Sequence, residues 1–241
     1  MSGRGRIRLA EARSALRVLM DDPERTEKVF EIVEAVAGRQ PERLVRAVRN
    51  DPSGPRLFAE RPEFDASTCD FDALLALPDG SFGRTYAEWM REHAFTPGLT
   101  DREVPSGDPD VVYLAQRLTQ VHDFWHVLSG YNRDPVGELG VLTFGWAQIR
   151  SRGIGFILAN VLWRDLCEHW QRGRWMSLLA PHLWHAWRAG RRARFLAPLI
   201  LEDFFELPLG SLRKLLAIQP LEKSIDAGAL APIAAPSRIA A

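Results

Sequence analysis

Cysteine is almost missing from this chain: Cys69 and Cys167 are the only two in 241 residues. Two thiols are too few for a disulfide framework or a thiolate zinc site, and such scarcity suits a reducing compartment. A long hydrophobic run is also lacking. The longest strongly apolar stretch, Ile154 to Trp163, is about half of the roughly 20 residues that a spanning helix needs, so any membrane association is expected to be peripheral. Neither sign of charge is in excess, because 31 Lys and Arg balance 31 Asp and Glu. No overall field therefore draws the chain to nucleic acid, although Arg188, Arg191, Arg192 and Arg194 form a local basic cluster that suits a solvated helix face or anionic head groups.

The start, Met1 to Arg8, is basic but has no uninterrupted apolar core, which argues against secretion. Its arginines suit an organellar presequence too, but they pass directly into domain-like sequence. The reading is an uncleaved cytoplasmic protein, peripheral to the inner face of the membrane. No stretch alternates with period two between hairpin turns, and no internal repeat or low-complexity linker divides the chain. The expectation is one all-α domain over residues 1–219, with an Ala/Pro-rich tail over 220–241 that is poorly ordered.

What is present is helical periodicity. Leu9, Ala12, Leu16 and Leu19, then Val29, Ile32, Val33 and Val36, recur at three- and four-residue steps. Pro23 and Pro41 stand at first-turn positions and Gly38 at a helix end, so at least three short helices precede Pro55. Further helices are predicted over Asp70 to Leu77 and through Tyr86 to about His93. A Pro- and Gly-rich loop over Phe95 to Pro109 comes next, and then one long helix capped by Asp108 and lined by Val111 through Leu128. Apolar helices interrupted near Gly153 and Gly173 follow, then Trp175 to Ala189, Phe195 to Phe205 and Leu209 to Ile218.

The chemistry-bearing stretch is His122-Asp123-Phe124-Trp125-His126, followed after eleven residues by Glu138. Histidines four apart on a helix share a face, with Cβ atoms about 5–6 Å apart, so both imidazoles can reach one divalent ion. Between them and Glu138 lies Ser129 to Pro135, a run of turn formers that can reverse the chain and return a carboxylate. Asp123, about 100° round the helix from His122, is a ligand, an acceptor orienting an imidazole, or a general base. A second group, Glu168, His169, His182 and His185, has no metal-like spacing, and Trp184 and Trp187 beside it favour aromatic packing. Arg117, before His122, suits an anionic head group or a buried salt bridge.

On these residues the chain resembles the coenzyme Q biosynthesis protein 4 family, whose pattern is His-Asp-x-x-His, eleven residues, then Glu. Glu60-Arg61-Pro62, Leu77 through Gly83, Tyr86, His93, Phe95-Thr96-Pro97, Arg117, Gly137, Gly190 through Arg194, Glu202, Pro208-Leu209 and Leu212-Arg213 extend the likeness from about Leu9 to Ile218. Leu142 and Gly145 depart from it, standing where a lysine and a glutamate are common in the family, as does Leu201, where a tryptophan is. The resemblance implies an all-helical protein with a divalent metal (Zn, Fe, Mn, Co or Mg) on His122, Asp123, His126 and Glu138, beside an apolar cavity. It also implies oxidative decarboxylation of a polyprenylated benzoquinone precursor, the C1 carboxyl being replaced by a hydroxyl. Its partners would be that precursor or an isoprenoid lipid and other quinone-biosynthesis proteins, with no nucleic acid and with self-association left open. A lipid-binding scaffold for those proteins is the alternative. A metal-dependent hydrolase is the third reading, weakened because zinc peptidases carry Glu where Asp123 stands and because HD phosphohydrolases need further ligands.

Overall fold

Three- and four-residue apolar spacing, with short polar or Pro-bearing joints, gives a chain that is helical wherever it is regular. A computed structural model describes residues 7–22, 25, 27–94, 104, 106–169 and 174–221, the side chains of 164–169 and 174–178 excepted. Among the described residues the helices run α1 (Leu9–Asp21), α2 (Glu27–Ala37), α3 (Gln40–Asn50), α4 (Gly54–Glu60), α5 (Phe71–Leu75), α6 (Phe82–Glu92), α7 (Pro109–Gln120), α8 (His122–Ser129), α9 (Pro135–Ile149), α10 (Arg152–His169), α11 (Arg174–Arg192) and α12 (Leu209–Leu215). No strand occurs among them beyond an isolated bridge between Ser81 and Pro208. The fold is all-α. Pro23, Gly173, the loop at 95–103 and the tail at 222–241 lie outside the described residues.

The ends of the helices follow local chemistry. Asp70 caps α5 by accepting from the Ala73 amide, Asp108 caps α7 from Asp110, and Asp134 caps α9 from Val136 and Gly137. Each satisfies an amide that has no partner within its helix and contributes about 1 kcal/mol.

Three expectations are corrected. The long helix expected through Leu128 breaks at Val121 (φ −95°, ψ 6°), so that α8 begins at His122. No Gly or Pro marks the break; the Thr119 hydroxyl instead donates to the Ala115 carbonyl at 3.1 Å, a back-bond that bends helices. The interruption expected near Gly153 falls at Arg150, which takes a left-handed conformation (φ 55°). Gly153 itself serves packing, since a Cβ there would lie 2.4 Å from the Val33 Cα. The helix expected over Phe195 to Phe205 is reduced to a 3₁₀ turn, Leu201–Phe204, because Pro198 lacks an amide hydrogen and keeps Ala197 out of the helical region.

The chain packs as two compact units. One draws on the described residues within Met1–Gln40 and Tyr131–Arg191. Its core joins Ala12, Ala15 and Leu16 of α1 to Ile32, Ala35 and Val36 of α2 and Ile157 of α10. The other spans Pro41–Gly130 and Arg192–Pro220. Its core is aromatic: the Phe124 ring sits 4.7 Å from Phe64, 4.7 Å from Tyr86, 5.4 Å from Phe82 and 5.6 Å from Phe205. Such pairs add about 0.5–1.5 kcal/mol each beyond area burial. Because Phe124 is fully buried, this nest fixes α8 from within.

Candidate metal centre

Helix α8 carries the ligands because its apolar residues and its chemical ones fall on different sides. Phe124, Trp125, Val127 and Leu128 are buried, whereas His122 and Asp123 are half-buried, with side-chain exposures of 36% and 26%. His126 is the buried ligand, at 2%. One ligand atom from each of His122, Asp123 and His126 lies within 4.8 Å of the others. Ligand atoms on a tetrahedral ion with bonds of about 2.1 Å stand roughly 3.4 Å apart, so small side-chain rotations close the three onto one cation. Two imidazoles and a carboxylate suit a borderline divalent ion. The His122 and His126 rings meet edge on at 4.9 Å, and the His122 Nδ1 lies 3.6 Å from Asp123 Oδ1.

The C-terminal end of α8 is tied down twice. At its C-terminus Gly130 takes φ 77° and donates its amide to the His126 carbonyl at 2.8 Å. Arg213 of α12 donates from Nε to the Leu128 carbonyl at 2.9 Å and from Nη2 to the Val127 carbonyl at 2.8 Å. A cation at a helix C-terminus satisfies carbonyls and opposes the helix dipole. Burial lowers the Arg213 pKa, but not enough to remove its charge at neutral pH. An Arg213→Met variant is expected to lose about 2–3 kcal/mol, read by urea denaturation, with part of the loss regained in Arg213→Lys.

Glu138 stands half-buried in the first turn of α9, in the other unit. The departing residues Leu142 and Gly145 lie on the same helix, one and two turns on, and so share its face.

Arg117 is 1% exposed, and its Nη2 donates to Glu202 Oε2 at 2.5 Å. Sequence reasoning had marked both residues without pairing them. The Arg117 Nε and Nη1 and the Glu202 Oε1 are buried with no hydrogen-bond partner. The Tyr86 hydroxyl is in the same position, and its pKa is pushed far up by burial, then by the nearby negative charge of Asp123. Tyr86 therefore stays protonated. Burial likewise raises the Cys69 thiol to about 11, which leaves it unreactive at neutral pH.

Of the second group, the side chains of Glu168 and His169 lie outside the described residues. His182 donates from Nε2 to the Val136 carbonyl at 3.1 Å, and His185 Nδ1 shares a 2.8 Å hydrogen bond with the Tyr131 hydroxyl. Burial lowers the His182 pKa, so the ring is neutral at physiological pH. The only group of three or more ligand-type side chains found among the described residues is that of His122, Asp123 and His126.

Fold and site together define an all-α protein with a His-Asp-His cluster on one short helix. Residues 6–222 match the family described as coenzyme Q (ubiquinone) biosynthesis protein Coq4, and the chain belongs to that family. A mitochondrial ubiquinone biosynthesis protein COQ4 homolog of Xenopus tropicalis is 31% identical over 215 residues, covering 88% of this chain and 73% of the relative. The mitochondrial COQ4 protein of Yarrowia lipolytica is 30% identical over 179 residues, covering 73% and 66%. A crystal structure from Nostoc punctiforme, of a protein provisionally assigned to ubiquinone biosynthesis, superimposes with TM-score 0.68 at 20% identity, over 88% of this chain and 98% of that one. At that identity the likeness bears on the fold.

Proposed function

We propose that this chain carries out a metal-dependent step of ubiquinone biosynthesis, the oxidative decarboxylation of a polyprenylated ring precursor in which the C1 carboxyl leaves as carbon dioxide and is replaced by a hydroxyl, with dioxygen as the two-electron oxidant. The convergence of the His122, Asp123 and His126 ligand atoms within 4.8 Å carries this reading. Glu138 is the proposed fourth ligand, on the strength of the family's motif spacing. A divalent ion in this set, Zn, Fe, Mn, Co or Mg, would supply Lewis-acid stabilisation of negative charge on the substrate as carbon dioxide leaves. Arg117 keeps two buried guanidinium donors and is the proposed partner of the anionic ring or head group.

The proposed setting is the membrane surface. No described helix is long and apolar enough to cross a membrane. Trp163 and Trp184 are nevertheless 68% and 57% exposed, with Arg188, Arg191 and Arg192 exposed along α11. Amphipathic rings and cations of this kind suit an interface with anionic lipid. The same exposed rings favour the second reading, a scaffold that holds lipid or other quinone-biosynthesis proteins without catalysis. In either reading Leu142 and Gly145, on the Glu138 face, would tune which substrate or partner is accepted.

Elemental analysis of unchelated protein, paired with lipid extraction and with an assay on a prenylated 4-hydroxybenzoate derivative under air, tests the proposal. Bound metal and conversion to the C1-hydroxylated ring are expected. Bound isoprenoid without metal or turnover would replace catalysis by the scaffold, and metal without lipid would reopen hydrolysis.

A further inference from the structure

The Trp89 indole lies against His126, with ring centroids 5.3 Å apart and planes inclined by only 24°. A second imidazole, that of His93, stacks on the same indole at 4.6 Å and 34°. The His93 ring is itself held, because its Nδ1 donates to the Trp89 carbonyl at 2.8 Å. Trp89 is on α6, whose buried residues Phe82, Tyr86, Ala87 and Met90 anchor that helix in the same unit as α8. A rigid helix thus presents a flat, electron-rich face to one of the two ligand rings.

We propose that Trp89 is a positioning residue for His126, and that this stack favours the metal-bound imidazole over the metal-free one. This rests on the reading of His122, Asp123 and His126 as a metal site. Two physical effects contribute. The face contact limits rotation of the ring about its side-chain torsions, so less orientational freedom is lost when the ion binds. Coordination also draws electron density out of the imidazole, and the negative face of an indole attracts an electron-poor ring more than a neutral one. The stack is therefore tighter with metal than without it.

The test uses the full chain, stripped of metal and titrated with Zn(II) and with Co(II). Trp89→Phe keeps an aromatic face and should bind within about threefold of the parent, whereas Trp89→Met fills similar space without a ring and should bind about 5- to 30-fold more weakly. The Co(II) absorption bands should shift in the Met variant and not in the Phe variant, and thermal melts should place both variants close together. Equal affinity and equal spectra for Trp89→Met and the parent would overturn the role of Trp89 while leaving the metal site intact. A parent that binds neither ion would overturn the metal reading, and this inference with it. If the Met variant fails to fold, a Phe variant that loses as much affinity as His126→Ala overturns the proposal, because the aromatic face would still be present.

Discussion

A His122→Ala variant is expected to lose at least about 100-fold in affinity for a divalent ion while its melting temperature barely moves. With 36% of its side chain open to solvent, His122 is less deeply packed than His126, so its removal costs less stability. His126→Ala differs, because that ring is 2% exposed and packed on Trp89. It should lose metal to a similar degree and also about 1–3 kcal/mol of stability. Calorimetric titration with Zn(II) and thermal denaturation of the metal-free proteins separate the two losses. Unchanged metal affinity in both variants would show that the cluster is an ordinary pair of surface and core histidines.

The largest stability effect should come from the buried pair of Arg117 and Glu202. Replacing Glu202 by Leu leaves a guanidinium that is 1% exposed without its counter-charge, at a cost of about 3–5 kcal/mol. The Glu202 side chain is 19% exposed, so solvent softens the reverse loss in Arg117→Met. Combining the two substitutions should recover most of the difference, because an apolar pair needs no compensating charge. A double-mutant cycle in urea measures this coupling, and simple additivity would show the pair to be energetically idle.

Much of the helical layout was legible because it rests on local rules. Gly38, Asp70, Asp108 and Asp134 announce helix ends through backbone freedom or capping oxygens, and the ligand pair follows from a four-residue spacing. The break at Val121 was not legible, since it comes from a Thr119 back-bond rather than from Gly or Pro. The irregular path through 195–205 is signalled by Pro198 alone, against apolar spacing of helical period on either side of it. The partnership of Arg117 with Glu202, 85 residues apart, and the stacking of Trp89 on His126 are tertiary contacts that no local pattern encodes. For Arg117 the sequence offers a head group and a salt bridge side by side; packing supplies the salt bridge and leaves two guanidinium donors over.

The single non-helical residue ahead of His122 has a mechanical consequence. In an unbroken helix every side chain is locked at about 100° from the next, so shifting α7 against its neighbours would swing both imidazoles by the same angle. The turn at Val121 releases α8 from the angular register of α7. The direction in which the ligand rings point is therefore set by α8's own contacts, the aromatic nest around Phe124 and the Arg213 clamp.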